Sequence, residues 1–331
     1  MGKKQITKKQ HYVPVFYLKK FVNSKGKLEI LDCERLKIVS PRVPKSICRQ
    51  KFFYSIDGKY DEISQIIESE CQKIEDNIAK NYDPICEKIR GDSHIDDSDK
   101  LLLSTFMSLQ YLRGLSMRKQ IKRMDSEMVK HLTKLRFSSK YAHKDFDRLE
   151  KETGEIISND ERLKTIKIAT EGEYDVETNN ISHLKFLAET EEFRNLFFGK
   201  YWTVYILKSD SKFFTSDNPV IEEFPKEHEK FFSNTFFDRT HYFSVAPDIL
   251  IVATQPYSVT GKKIKRKTLF DRDKEKIDDL NFIQFKYADR YVYSGKYNGL
   301  QYLLNKSLSY KKNQDMHIRN LYRSFREEQG W

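Results

Sequence analysis

"KLLLSTFMSLQYLRGLSMRKQIKRMDSEMVKHLTKLRF", residues 100–137, decides the fold class. Leu102, Phe106, Leu109, Met117, Ile121, Met124, Met128, Leu132 and Leu135 recur mostly three or four positions apart, the spacing of one helix face. The stretch predicts about 40 residues of helix, roughly 60 Å if unbroken, with Gly114 as the place to bend. Upstream, Ile63, Ile66, Ile67, Ile74, Ile78, Ile85 and Ile89 predict a second amphipathic helix, broken near Asp83–Pro84 because proline cannot donate to the helix ladder. On both sides of this helical middle the period changes. "YVPVFYL", residues 12–18, reads as an extended segment, since Pro14 restricts its predecessor and aromatic and β-branched residues dominate. "NSKGKLEILDCERLKIVSPRVP", residues 23–44, reads as two strands around a turn at Ser24–Gly26 and a second bend near Cys33–Arg35. "YWTVYILK" at 201–208 is the clearest strand, followed by "KFFTSDNPVIEEF" as strand, turn, strand. "THYFSVAPDILIVAT" at 240–254 is a further pair about Pro247–Asp248. From Asp271 the pattern is helical again. The reading is α+β, with small antiparallel β units at the start and middle packed against long helices. Residues 1–331 form one unit, with β at 10–56, helices at 60–198, β at 200–256 and helices at 271–331.

The bulk numbers fit a folded chain that meets a polyanion. Of 331 residues, 38% are hydrophobic, and 23 Phe with 19 Tyr supply large side chains that disordered chains lack. Lys and Arg number 60 against 49 Asp and Glu, a net charge of +11. Such an excess favours nucleic acid, an acidic surface or a phosphorylated ligand, and equally fits a generally lysine-rich composition. Cys33, Cys48, Cys71 and Cys86 form no CxxC pair, which speaks against a zinc ribbon. No signal-peptide h-region follows the charged first ten residues, and no run is long enough to span a bilayer, so the expected location is the cytoplasm. P-loop, GxGxxG, HExxH and GxSxG patterns are absent.

Three places carry candidate chemistry. His11 and Tyr12 come first: an imidazole exchanges protons near neutral pH, and a phenol donates hydrogen bonds or stacks on a base. His11 reads equally as a structural cap of its strand, with Tyr17 as a supporting side chain. The second place is "TSDNP", in which Ser216 supports, Asp217 orients His11 or holds a metal, and Asn218 donates to a phosphate or carbonyl. The same residues read as plain turn chemistry. The third is Gln110 with Arg113, one turn apart on the long helix. Arg113 in an apolar stripe needs an anion, whether a carboxylate such as Asp217 or a ligand phosphate. Lys119, Lys122 and Arg123 on the helix, and Lys262, Lys263, Lys265, Arg266 and Lys267 in a basic loop, are the expected nucleic-acid contacts; a solvated polar face is the plainer reading. No metal site is read, although Asp217 leaves a divalent ion open, and no cofactor is called for.

"QHYVPVFYLKKF" at 10–21, "FFYS" at 52–55, "FMSLQYLRG" at 106–114 and "KFFTSDNPVI" at 212–221 fall in one order along the chain. With a looser match at "LNFIQFKYADRYVYS", 280–294, the sequence resembles domain-of-unknown-function family 4238, a bacterial family. Some members of that family look like components of bacterial defence against phage, so the resemblance implies such a role here, and it lends no catalytic residues. Two expectations follow. One is an effector that cleaves nucleic acid, with His11 as general acid or base, Arg113 stabilising phosphate charge and Asp217 orienting. The other is a non-catalytic module that senses nucleic acid or a phage component through its basic surface.

Overall fold

The strand read at 201–208 sits inside a sheet rather than at its edge. The computed structural model describes residues 6–91, 93–139, 141–223, 239–255 and 264–328, with side chains to residue 312. In chain order, β1 (Lys9–His11) leads to α1 (Val15–Leu18), a 3-10 turn (Lys19–Phe21), β2 (Leu28–Asp32), β3 (Lys37–Arg42) and β4 (Arg49–Lys51). The helical middle comprises α2 (Glu62–Arg90), α3 (Asp97–Arg113), α4 (Leu115–Phe137), α5 (Ala142–Thr153), α6 (Asn159–Glu171), α7 (Ile181–Ala188) and α8 (Thr190–Gly199). Then come β5 (Tyr201–Lys208), β6 (Thr215–Ser216), β7 (Val220–Glu223), β8 (Thr240–Ala246), β9 (Ile249–Thr254) and β10 (Ile264–Phe270). The chain continues through α9 (Lys274–Tyr287), β11 (Tyr291–Ser294) and α10 (Tyr297–Glu328). The class is α+β.

Three sheets form. β1 and β4 make a two-stranded ribbon; β10-β5-β9-β8-β7 and β3-β2-β11-β6 make larger sheets. Pairing is antiparallel except at the edge, where β10 runs parallel to β5 with Ile264 opposite Trp202. The five-stranded sheet is covered on both faces, which is why β5 and β9 read as nearly continuous apolar runs. Trp202, Val204, Ile206, Ile249 and Ile251 face the main core, while Tyr205, Leu207, Leu250 and Val252 close over Ile277 of α9 on the other side.

α3 lies at the centre. Asp96 caps it reciprocally with Asp99, and Gly114 ends it by taking an extended conformation at φ −59°, ψ 153°. The predicted bend is thus a break between two helices. From Leu103 to Arg113 nearly every α3 side chain is buried, polar ones included, so Lys100, Gln110 and Arg113 must find partners inside the protein.

Four expectations are corrected. α2 runs unbroken through Pro84, because Ile78, Tyr82, Ile85, Cys86 and Ile89 bury one continuous face across it. The segment 12–18 is not a strand. Only residues 9–11 form a strand, and Pro14, extended at φ −65°, ψ 142°, is the N-cap of α1. Lys265, Arg266 and Lys267 belong to strand β10 rather than to a loop, while Lys262 and Lys263 lie outside the described residues. Lastly, β11 interrupts the helical tail and pairs with β2 and β6.

Candidate active site around His11 and Glu68

One face of α2 and the end of β1 enclose a polar cavity. Glu68, Cys71, Gln72, Glu75, Asp76 and Ala79 repeat at helical spacing and line it with His11, Val15 and Phe16; its volume is about 180 Å³. Arg113 lies beneath, fully buried, and donates from Nη1 to Glu75 Oε1. With the Gln110 amide turned so that its oxygen faces the guanidinium, that oxygen accepts from Arg113 Nε at 3.0 Å and Nη2 at 2.7 Å. Tyr54 joins this floor to His11: its hydroxyl lies 3.5 Å from Arg113 Nη1 and donates to the His11 carbonyl oxygen at 3.1 Å. Gln10 fastens the same region, accepting from the Tyr54 N–H at 2.9 Å and donating to the Ser64 carbonyl at 3.2 Å.

Burial sets the proton affinities. It pushes the Glu68 carboxyl up to about 7, with Glu75 adding to the shift and Arg113 opposing it. Burial also lowers His11 below its usual value, assisted by the charges of Arg49 and Arg113, against a hydrogen bond between Nε2 and the Lys45 carbonyl at 3.3 Å. Burial raises the Cys71 thiol to about 11, so it stays protonated near neutrality. Glu75 is matched by Arg113, and Asp76 accepts from the Gln72 amide at 2.8 Å. The cavity therefore holds one neutral imidazole and one carboxyl near its midpoint, the combination acid–base chemistry uses. Arg49 sits opposite His11 in the β1–β4 ladder and brings positive charge to that side.

The structure unites His11 with Arg113 and Gln110 but sends Asp217 elsewhere. Asp217 accepts from the backbone N–H groups of Asp289, Arg290 and Tyr291, each at 2.9 Å, and its own N–H donates to the Tyr291 carbonyl. Burial and the neighbouring Asp289 push its carboxyl up to about 7 against the pull of those donors. Ser216 and Asn218 complete the turn: Ser216 Oγ donates to the Asn218 carbonyl at 2.7 Å, and Asn218 Nδ2 to the Tyr287 carbonyl at 3.0 Å. This is turn chemistry, and it carries the chain from β6 in one sheet to β7 in the other. Tyr12 is buried against Phe53, with ring centroids 5.4 Å apart. Tyr17 is fully buried, its hydroxyl donating to the Ser244 carbonyl and sharing a hydrogen bond with Thr215, both at 2.7 Å. Arg113 meets its anion in Glu75, so its charge is spent inside the protein rather than on a ligand.

The basic residues are dispersed. Lys119 pairs with Asp289 at 2.6 Å and Arg123 with Glu127 at 2.8 Å, while Lys122 is half-buried. Arg266 donates to the carbonyls of Lys88 and Ser93, and the Lys267 ammonium lies over the Tyr205 ring. Glu68, Glu75, Cys71 and Tyr54 went unread in the sequence. The available signal was the spacing of Glu68, Cys71 and Glu75 on one side of the isoleucine-rich helix. Among the described residues no group of three His, Cys, Asp or Glu is placed to hold a metal ion, and no helix is long and apolar enough to cross a membrane.

A family model described as protein of unknown function, DUF4238, matches residues 9–298, most of the chain. No curated protein and no solved structure matches.

Proposed function

For a chain that belongs to the DUF4238 family, we propose that the His11–Glu68 cavity is the active site of a metal-independent ribonuclease acting in the cytoplasm in defence against phage. The observation that carries this reading is the opposed shift of two groups lining one cavity, an imidazole pushed down and a carboxyl pushed up to about 7. Proton transfer alone cleaves RNA, because the ribose 2′-hydroxyl supplies an internal nucleophile. Neutral His11 takes the 2′-hydroxyl proton as the oxygen attacks phosphorus. Protonated Glu68 gives its proton to the departing 5′-oxygen, leaving a 2′,3′-cyclic phosphate. Arg49, beside His11, stabilises charge on the phosphoryl oxygens. Arg113 acts from below, through Glu75 and Tyr54. The net charge of +11 draws the polyanion in, and the defence setting follows from the family resemblance.

The test is incubation of purified protein with RNA and with DNA, with and without Mg²⁺. Cleavage of RNA alone, with cyclic phosphate ends, is the expected result. The rate should follow a bell in pH whose alkaline limb falls near 7, the Glu68 value. Glu68→Gln should remove that limb and lower the rate by about 10²-fold or more. Folded protein that leaves both nucleic acids intact, together with a His11→Ala variant that still protects cells, overturns the proposal in favour of a non-catalytic sensor.

A further inference from the structure

α4 carries an apolar stripe that outruns the body of the protein. Met117, Ile121, Met124, Met128, Leu132 and Leu135 follow one another three or four apart, on one face. The first two are buried in the main core, with Leu184 and Leu187 of α7 in the same cluster. Past Ile121 the stripe comes into the open: Met124 is 65% exposed, Met128 59%, and Leu132 and Leu135 56% each. The helix is meanwhile held from its other side. Lys130 reaches the Gly172 carbonyl and the Tyr174 ring, and Phe137 packs edge-on against Phe146 of α5. Beyond Ile121 the half-buried side of α4 carries Lys122, Asp125, Ser126, Lys130, Thr133 and Phe137 and is largely polar, while its apolar stripe faces water.

We infer that this face pairs with the same face of a second copy, the two α4 helices lying antiparallel across a two-fold axis. The heptad positions select the occupant. Met128 and Leu135 are seven apart at one seam position, Met124 and His131 seven apart at the other, and Glu127 and Lys134 flank the seam at matching places. In an antiparallel pair like flanks meet, so Glu127 of each copy faces Lys134 of the other and two ion pairs form by symmetry. A parallel pair would set Glu127 against Leu132 and Lys134 against Ser139, with no charge match. Among the described residues Lys134 has no carboxylate partner and Glu127 is held only by Arg123, on the open helix surface. The seam is short against the roughly 800 Å² per partner of a standard interface, which predicts association at micromolar rather than nanomolar concentration.

Sedimentation equilibrium of the full chain from about 1 to 100 µM tests this. Wild type is expected to pass from monomer to dimer across that range. Met128→Asp, on an exposed position and with an unchanged circular dichroism spectrum, should stay monomeric at the top of it. Lys134→Glu should weaken the dimer at least tenfold, and Glu127→Lys added to the same chain should restore it, since the swapped charges meet again. A wild type that is monomeric throughout overturns the inference. So does a dimer indifferent to Met128→Asp, or a charge swap that fails to rescue. A monomer whose Met128→Asp variant loses RNA binding overturns it as well and assigns the stripe to nucleic acid.

Discussion

Arg113 shows what one buried charge obliges its surroundings to do. A guanidinium withdrawn from water must be matched in full, and here Glu75 supplies the charge and the Gln110 oxygen takes two further N–H donors. Removing the match should therefore cost more than the pair itself contributes. Glu75→Ala is expected to destabilise the fold by about 3–5 kcal/mol in urea denaturation at neutral pH, and Arg113→Met with Glu75→Gln by clearly less. Glu68, on the same helix face, behaves in the opposite sense. Its carboxyl titrates near 7 in the folded chain against an ordinary 4.5, so the fold binds the proton more tightly than the unfolded chain does. Its contribution to stability is whole below about 4.5 and fades as pH climbs through 7. Glu68→Gln should raise the melting temperature at pH 8 more than at pH 5, while lowering turnover by about 10²-fold or more. A gain in stability coupled to a loss of rate separates an active-site carboxyl from a scaffold one. That Arg113 needs an anion was legible in the sequence. Which anion was not, because Glu75 and Asp217 are both acids on suitable elements and only packing brings one of them within reach.

Among the elements, glycine marks where geometry leaves no slack. Gly295, between β11 and α10, would place a Cβ 2.8 Å from the Val22 carbonyl oxygen, a backbone atom that cannot swing aside. Gly114, between α3 and α4, would place one at ordinary distances of 3.5–3.7 Å and already has φ −59°. Gly295→Ala should thus cost about 1–3 kcal/mol and Gly114→Ala less than about 0.5, both read from chemical denaturation. Long periodic elements were the legible ones: α2, the joint at Gly114, and strands β5, β8 and β9 stand where spacing placed them. The misread elements are those that tertiary context overrides. Pro14 reads as an extended residue and is one, yet it is the N-cap of a helix whose Tyr17 and Leu18 are buried. Pro84 reads as a break, yet the buried residues on both sides carry α2 past it. The basic run at 264–267 reads as a loop because its partner, β5, lies some 60 positions earlier.

At the scale of the molecule, the segment from β6 to β7 holds the two larger sheets together, and Asp217 is its fastening. Its carboxylate serves three consecutive N–H groups at the start of β11. Asp217→Ala leaves all three without an acceptor and should cost at least about 2 kcal/mol. Hydrogen exchange should accelerate first at 289–291, and Asp217→Asn should recover part of the loss. This is also why the cavity was only partly legible. "TSDNP" is the most conspicuous polar motif in the chain, and its conspicuousness comes from joining sheets rather than from facing a ligand. The carboxyl in the cavity, Glu68, hides among the ordinary glutamates of a long helix.

The placement of β11 bears on how the protein is born. Residues 291–294 slot between β2 and β6, so a strand synthesised within the first 32 residues waits, one edge bare, for a neighbour made some 260 residues later. A nascent chain on the ribosome carries that exposed edge through most of its translation, and a product cut short before residue 291 carries it permanently. Truncated copies should therefore accumulate in inclusion bodies or be cleared by proteases, and chaperone demand during synthesis should be high.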